Sequence, residues 1–331
     1  MRCSLITPQQ ITHDRNDTEP GTPIIILLRA GVLVPEAAAK LGTYHEVFSQ
    51  FLQDGLNYQQ HTKHLASAAT TTSKQERIQL ISYNVVQNTP ESSHPDQLVE
   101  YPSHDILTQS IALIISGSAS NAYEDIPWIN QLVSFSTELV HSYLHLKLLG
   151  ICFGHQIFAR ALGAQVIRNP LGWEFGIYEV QLSLLGQTLF QDADSPAPNL
   201  LKLHQVHRDI VVDLPASIHS IGSTPNCTTH GFLLLDPPPE PDRLARPDEA
   251  LSASELTRRI RLLTLQGHPE FTTTILRDAL NARTRNGTDW SIVDKDSYQT
   301  ALDSIHKFPH QSDHHGSFVS HKFLQILNII T

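Results

Sequence analysis

Short apolar runs alternate with longer polar stretches along the first half of the chain. The runs at 24–28, 111–117 and 145–151 are rich in Ile and Leu, which is typical of strands buried on both faces of a parallel sheet. Apolar residues recur at helical spacing over 44–53 and 126–139, and this spacing predicts helices between the strands. The alternation predicts an α/β domain with a mainly parallel central sheet flanked by helices.

Weaker signals of the same kind continue along the chain. A strand is predicted over 78–86, and a helix is predicted to follow Cys152 and to end at Gly163, a natural C-terminal cap. A further helix is predicted to begin at Thr273. Shorter strands are predicted over 164–168, 177–184, 209–214, 217–222, 230–235 and 260–267.

We interpret the chain as one domain with polar additions. Residues 1–20 are polar and are predicted to form a disordered lead-in. Residues 21–285 contain the alternating strands and helices of the domain. Within that domain, 61–77 is rich in Ala, Thr and Ser, and 236–256 is dense in Pro and charge, so surface insertions are predicted at both. Residues 286–331 are predicted to form a C-terminal extension.

Composition narrows the functional classes. Of the 331 residues 40% are hydrophobic, enough for a core, and 23 basic residues face 33 acidic ones, a net charge of −10. Proteins that bind nucleic acid or an anionic membrane surface are expected to carry a basic excess, so neither partner is predicted. No apolar run approaches the ~18 residues of a membrane span, and the polar start lacks the apolar core of a secretory signal.

The three cysteines, Cys3, Cys152 and Cys227, are too few and too far apart for a disulfide framework, which favours a reducing, cytoplasmic compartment. No Cys-x-x-Cys pair is present, so no cysteine-rich zinc site is expected, and Cys3 and Cys227 are assigned structural roles. Several clustered histidines are interpreted as solvated loop residues and not as metal ligands: His61, His64, His310, His314 and His315.

Cys152 differs from the other two cysteines because an apolar strand runs straight into it and a helix follows. In the segment GICFGHQ at 150–156, the two glycines relieve crowding at a tight strand-to-helix turn. Such a turn exposes the thiol at the positive end of a helix, which favours the thiolate. The N–H of Phe153 at that helix end is a candidate donor to an oxyanion. His155 is assigned a structural role.

A thiolate nucleophile needs a histidine, and that histidine needs an acceptor to orient it. In LQGHPEF at 265–271, His268 leaves the end of a predicted strand and Glu270 follows two residues later. A His-x-Glu pattern is weak evidence alone. It becomes strong when it follows a strand and is combined with the Cys152 turn upstream.

These two segments resemble the two defining motifs of the class I glutamine amidotransferase family. Further segments resemble the family, and together the matches run from about residue 24 to 280. Three of them match segments of the family in general: Ser116–Ser118, Gly172–Gly176 and His204–Asp209. Three others resemble its stand-alone branch, which is similar to GMP synthase and to plant γ-glutamyl peptidases: Gly42–His45, Asn121–Asp125 and Pro127–Ile129. The resemblance implies a flavodoxin-like α/β fold.

The resemblance also implies a reaction. Cys152 would attack the γ-carbonyl of a glutamine or other γ-glutamyl amide, His268 would carry the proton to the leaving amine, and Glu270 would orient His268. A γ-glutamyl thioester would form and be resolved by water or another amine. The implied oxyanion donors are the N–H groups of Gly117 and Phe153. Gln156 and His207 are the implied contacts of the small-molecule γ-glutamyl substrate, and no cofactor or metal is expected.

Several interpretations of the function stay open. One is a stand-alone γ-glutamyl hydrolase of small-molecule or secondary metabolism, which the absence of a fused ATP-binding synthetase motif favours. A second is a glutaminase that supplies ammonia to a separate synthetase. A third is a catalytically inactive binding subunit, although such a copy is expected to lose a triad residue. A fourth is a cysteine hydrolase with the same turn and a different electrophile.

Overall fold

The structure is a computed structural model of the chain. It describes residues 1–12, 21–63, 77–87, 98–191, 198–238, 251–310 and 313–330, with the backbone alone for 59–63. Most of both predicted insertions, at 64–76 and 239–250, therefore lies outside the described residues, as do His64 and the side chain of His61.

The described residues form strands and helices that are numbered in chain order. The strands are β1 (Arg2–Ile6), β2 (Ile11–Thr12), β3 (Ile24–Arg29), β4 (Ile78–Asn84), β5 (Ala112–Ile115), β6 (Lys147–Ile151), β7 (Gln165–Arg168), β8 (Glu174–Leu182), β9 (Leu200–His207), β10 (Asp209–Val212), β11 (Ile218–Ser220), β12 (Gly222–Ser223), β13 (Gly231–Leu235) and β14 (Ile260–Leu265). The helices are α1 (Pro35–Leu41), α2 (Tyr44–Lys63), α3 (His104–Gln109), α4 (Pro127–Ser142), α5 (Phe153–Ala161), α6 (Leu184–Phe190), α7 (Ala253–Arg259), α8 (Thr273–Thr284), α9 (Lys295–Lys307) and α10 (Gly316–Ile326).

Nine strands form one sheet in the order β11-β13-β14-β6-β5-β3-β4-β1-β2. The five central strands, from β14 to β4, are parallel, and antiparallel pairings join the strands beyond them at both edges. All six residues of β14 are buried, as expected for a strand covered on both faces. The predicted α/β fold with a mainly parallel central sheet is thus confirmed.

Helices cover both faces of this sheet and create two apolar cores. One core receives side chains from α1, α2, α8, α9 and α10, and the other from α3, α4 and α5. Two small antiparallel sheets, β7 with β10 and β8 between β9 and β12, stand beside the main one. No helix in the described ranges has both the length and the apolar character needed to cross a bilayer.

The start of the chain differs from the predicted disordered lead-in. Residues 2–6 form β1, which pairs antiparallel with β4, while residues 13–20 lie outside the described residues. His45 of α2 holds this strand, because its ring lies 2.6 Å from the hydroxyl oxygen of Ser4 and 2.9 Å from that of Ser82. A short strand of mixed polarity has no clear alternation, so the pairing of β1 between β4 and β2 depends on these distant partners.

The C-terminal residues pack into the same core as the rest of the chain. Helix α9 lies against β8, and α10 lies against α2, where the Ser320 hydroxyl donates to the carbonyl of Phe51 at 2.6 Å. A Cβ at Gly55 would overlap Ser320, so the glycine permits the close approach of the two helices. The prediction of a solvated loop is wrong for His314, which is 5% exposed and packs against His204.

Candidate active site

Cys152 lies at the abrupt turn between β6 and α5, as the sequence predicts. Its backbone has φ 52° and ψ −102°, a left-handed conformation that costs energy in a non-glycine residue. A Cβ at Gly150 would lie 2.7 Å from the carbonyl oxygen of Gly154, and a Cβ at Gly154 would overlap the carbonyl of Ile115. The two glycines therefore permit the tight packing beneath the cysteine.

His268 and Glu270 follow β14, the neighbour of β6 in the sheet. The backbone N–H of Cys152 donates to the carbonyl of Leu265 at 2.8 Å, so the ends of the two strands are held together. His268 Nδ1 lies 2.8 Å from Glu270 Oε1, and both side chains are buried. The structure thus brings together the three residues predicted as the triad.

The electrostatics favour a positively charged His268. Burial by itself lowers the pKa of this histidine, but the charges of Cys152 and Glu270 and their hydrogen bonds to the ring outweigh burial and raise the pKa to about 10. The ring of Phe271 stacks on the imidazole with centroids 3.9 Å apart. A thiolate facing an imidazolium is the arrangement required for nucleophilic attack followed by proton donation.

The loop after β5 places Gly117 against the imidazole. A Cβ at this position would lie 2.7 Å from His268 Cε1, so no larger residue fits without displacing the ring. Ser116 holds the loop, because its hydroxyl accepts from the N–H of Ala30 at 3.0 Å and donates to the carbonyl of Gly117 at 3.1 Å. Phe153, the other predicted oxyanion donor, is the first residue of α5, where the helix leaves N–H groups without intrahelical partners.

A cleft of about 470 Å³ opens beside Cys152. Its walls come from the loop after β5, the start of α5, the β9–β10 turn, α8 and the segment before α9. The lining residues with polar or charged side chains are Ser118, Ser120, Asn121, Cys152, Gln156, Arg168, Trp173, His207, Arg208, Asp209, Arg283 and Ser291. The volume suits a small organic molecule.

Gln156 lines this cleft from the first turn of α5. Its Nε2 donates to the carbonyl of Asp209 and to Gln266 Oε1, both at 3.1 Å. These two bonds fix the orientation of the amide. No hydrogen-bond partner occupies Gln156 Oε1 among the described residues, so this oxygen is available to a donor on a bound molecule.

His207 also lines the cleft, but its ring nitrogens face protein groups. Nδ1 lies 3.2 Å from the carbonyl oxygen of Asp209, and Nε2 lies 3.0 Å from Glu174 Oε2. Glu174 also lies 2.8 Å from His230 Nε2. Burial alone raises the pKa of Glu174, but hydrogen bonds from the two histidines outweigh burial and hold it well below its usual range. The predicted substrate contact of His207 is thus limited to the carbon edge of the ring.

Glu174 and His230 also belong to a set of three side chains that are close enough together to hold a metal ion. This set is found among the described residues. Ligand atoms of Glu174, Cys227 and His230 lie within 4.8 Å of one another and are buried. Hydrogen bonds within the protein already engage them: Glu174 accepts from Thr224, and Cys227 Sγ donates to the carbonyl of Thr229 at 3.4 Å. Burial raises the pKa of the Cys227 thiol to about 12, which disfavours the thiolate form that metals bind.

Sequence reasoning missed the charges of the cleft. Arg168, Arg208 and Arg283 line it together with Asp209. Burial raises the pKa of Asp209 to about 6, against the lowering effect of the neighbouring arginines and His207. Arg208 and Asp209 lie in the segment His204–Asp209 that resembles the family, but the resemblance implies a substrate contact for His207 alone within it. Arg168 and Arg283 come from separate elements, and no local motif marks them.

Comparison with known proteins places these features in a family. A family model described as glutamine amidotransferase class-I matches residues 75–238, a range that includes Cys152 and ends before His268. A glutamine amidotransferase-like protein of Schizosaccharomyces pombe is 30% identical over 252 residues, 76% of this chain and 81% of its own length. γ-Glutamyl peptidase 2 of Arabidopsis thaliana is 29% identical over 214 residues, 63% of this chain and 71% of its own.

More distant relatives and a solved structure point to the same family and fold. A GMP synthase of an Azoarcus species is 32% identical over 137 residues, 40% of this chain and 24% of that protein. The crystal structure of a glutamine amidotransferase from Thermotoga maritima superposes with a TM-score of 0.53 at 16% identity, covering 92% of this chain and 98% of its own. At that identity the superposition supports the fold alone.

Proposed function

The chain belongs to the class I glutamine amidotransferase family, and from that premise we propose that it hydrolyses a γ-glutamyl amide through Cys152, His268 and Glu270. One observation carries the proposal: a cysteine at a strained strand-to-helix turn lies beside a buried His–Glu pair that follows the adjacent strand. That geometry provides a nucleophile, an acid–base and an orienting carboxylate in one place.

The first half of the proposed reaction forms an acyl-enzyme. The Cys152 thiolate attacks the γ-carbonyl carbon, a C–S bond forms, and the carbonyl π electrons move to oxygen. The N–H groups of Gly117 and Phe153 stabilise that oxyanion. When the intermediate collapses, the imidazolium of His268 gives its proton to the amide nitrogen, the C–N bond breaks, and the amine leaves.

The second half restores the enzyme. Neutral His268 removes a proton from water, the resulting hydroxide attacks the γ-glutamyl thioester, and the C–S bond breaks. The products are a γ-carboxylic acid, which releases its proton to solvent to become the carboxylate, the Cys152 thiolate and the His268 imidazolium. Glu270 keeps the imidazole in one orientation through both halves and stabilises its positive charge.

For the substrate, we favour a γ-glutamyl peptide or conjugate over free glutamine. The Arabidopsis relative is named for peptidase activity and aligns over 63% of this chain, against 40% for the GMP synthase. The similarity to GMP synthase supports the second candidate, a glutaminase whose ammonia is used by a separate synthetase.

Steady-state hydrolysis of glutamine, glutathione and a γ-glutamyl anilide tests this proposal. We expect turnover of the peptide or anilide above that of glutamine, and a loss of kcat on the order of 10⁴ or more in Cys152→Ala. Cys3→Ala, which removes a thiol in β1 away from the cleft, is the matched control and should keep full turnover. Preference for glutamine would instead support the ammonia donor. Unchanged hydrolysis in Cys152→Ala would refute the mechanism.

Labelling separates a silent enzyme from a binding subunit. A chloroketone analogue of glutamine should alkylate Cys152 in the wild-type protein and not in Cys152→Ala. If none of the three substrates is turned over and Cys152 is also not labelled, the protein is the inactive binding subunit that we consider the weakest alternative.

A further inference from the structure

Three arginines line the cleft beside Cys152, although the chain as a whole carries a net charge of −10. Arg168 ends β7, Arg208 lies in the β9–β10 turn, and Arg283 projects from α8. The cleft therefore concentrates positive charge on a protein whose overall charge is negative. This local excess is typical of a site for an anionic ligand.

Two of the three arginines have acidic neighbours. Arg168 and Arg208 lie close enough to Asp209 to lower its pKa, and Glu124 acts on the same aspartate with the opposite sign. Positive and negative side chains thus share this wall of the cleft. A wall of mixed charge can bind a zwitterionic α-amino acid group, because the carboxylate pairs with an arginine and the ammonium with the aspartate.

Arg283 is in a different position. No carboxylate of the described residues lies within ion-pairing distance of it, and its guanidinium makes one long hydrogen bond, 3.5 Å, to the carbonyl of Ala279. Burial lowers the pKa of Arg283, and the groups whose charge opposes that effect are Tyr44 and Cys152. Tyr44 stays neutral because burial raises its pKa far above the usual range.

Arg283 lies near the two residues that are proposed to act on the amide bond of the substrate. It lines the main cleft with Cys152 and also a smaller cavity of about 70 Å³ that His268 lines. Ser291 and Ile292 line the cleft as well and bring no charge to it. A partly buried cation near the nucleophile, with no acidic partner among the described residues, is suited to receive negative charge from a ligand.

We propose that Arg283 is a specificity-determining residue that pairs with a carboxylate on the leaving-group side of the γ-glutamyl substrate. The inference rests on the proposed function. The mixed-charge wall satisfies both charges of the γ-glutamyl head, so a second carboxylate is what Arg283 selects. A γ-glutamyl peptide carries such a carboxylate, and free glutamine and simple γ-glutamyl amides do not.

Two substrates with the same γ-glutamyl head test the proposal: γ-glutamylglycine, whose leaving amine carries a carboxylate, and γ-glutamylethylamide, whose leaving amine does not. We expect wild-type kcat/KM to favour the glycine compound by about 10- to 100-fold, the range of a hydrogen-bonded charge pair. Arg283→Gln should lower kcat/KM for the glycine compound at least tenfold more than for the ethylamide. Arg283→Lys, which keeps the charge and loses the planar fork, should retain part of the preference.

Arg277→Gln is the matched control, because it removes an exposed arginine from the same helix and should leave the preference intact. Equal losses on both substrates in Arg283→Gln would overturn the inference, since Arg283 would then hold the shared head or support the fold. Equal wild-type turnover of both would overturn it as well, while the proposed function would stand. The proposed function itself would be refuted by a different result: no wild-type turnover of these two compounds or of glutamine, glutathione and the anilide, together with no labelling of Cys152 by the chloroketone.

Discussion

Two backbone positions limit how closely the catalytic groups approach one another. Cys152 has a positive φ, a strain of about 1–3 kcal/mol that the packing around it must offset. Gly117 lies so close to His268 that its missing side chain defines the position of the ring. The missing side chain of Gly117 therefore determines the position of the imidazole as much as the hydrogen bonds of the imidazole do.

Gly117→Ala tests this point. The added Cβ would lie 2.7 Å from His268 Cε1, so the ring must leave the position in which it interacts with Cys152 and Glu270. We expect kcat/KM for the preferred substrate to fall by about 100-fold, because displacements near 1 Å have costs of that size. Thermal unfolding should show that the variant stays folded. Full activity in a folded variant would show that the ring tolerates the displacement.

The raised pKa of His268 predicts the alkaline end of the pH profile. The imidazolium donates the proton to the leaving amine, so activity should persist while the ring is protonated and fall as pH rises through about 10. Glu270→Gln removes one of the charges that raise this pKa. In that variant the alkaline fall should move down by about 1–3 pH units. A fall at the same pH in both proteins would contradict the role given to Glu270.

At the scale of elements, the crossing of α2 and α10 joins the N-terminal half of the chain to its last helix. The two helices meet at Gly55 and Ser320, and the Ser320 hydroxyl bonds to the backbone of α2. The start of α10 also reaches the catalytic loop, because a Cβ at Gly316 would overlap the carbonyl of Pro269. The last helix thus supports the segment that carries His268.

Gly55→Ala should therefore destabilise the protein, although alanine is the better helix former. Helix propensity favours alanine by about 1 kcal/mol, but overlap with Ser320 costs about 1–3 kcal/mol. We expect a net loss in the free energy of unfolding, measured by urea titration. Asn57→Ala on the same helix serves as the control and should change stability by less than about 0.5 kcal/mol. A stabilised Gly55→Ala protein would show that α10 shifts to accept the methyl group.

Some helices and strands can be predicted from the sequence, and others cannot. Strands β5 and β6 lie within predicted runs, and β3 covers the predicted run 24–28 and extends one residue further, to Arg29. These strands are predictable because a strand buried on both faces is mostly apolar. The seven-residue α1 is too short for a helical period to emerge, and β1 has mixed polarity. Both depend on contacts with distant parts of the chain.

The residues of the candidate active site also fall into those that a local motif predicts and those that it does not. Cys152, His268 and Glu270 lie in local motifs at strand ends, so the sequence predicts them, and the structure brings them together. The orientation of His207 depends on Glu174 in another strand, and the position of Arg283 depends on the packing of α8. Neither has a local signal, because each results from contacts between elements that are remote in sequence.

For the whole molecule, the C-terminal residues belong to the main structure and not to a separate unit. Val293, Ile305 and Phe323 are buried in the core that also holds Phe48 of α2 and Leu263 of β14. A core that joins residues from the first to the last third of the chain is expected to unfold as one unit.

Tryptophan fluorescence can test this cooperativity. Trp128 is buried in the core on the other face of the sheet, whereas Trp290 packs against Tyr298 of α9. In variants that keep one or the other as the sole tryptophan, fluorescence and far-UV circular dichroism should give the same urea midpoint. A Trp290 signal that changes at lower urea than the dichroism would show that the C-terminal helices detach first.

The pairing of β6 with β14 has a consequence for how this protein can change over evolution. Cys152 and His268 follow two hydrogen-bonded strands, so the distance between them depends on the strand spacing of ~4.8 Å and not on the chain that connects them. The connection between α5 and β14, residues 162–259, can therefore vary in length between relatives without moving the nucleophile away from its base. Insertions and deletions in that connection can alter which molecules reach the cleft. The relative position of Cys152 and His268 stays the same.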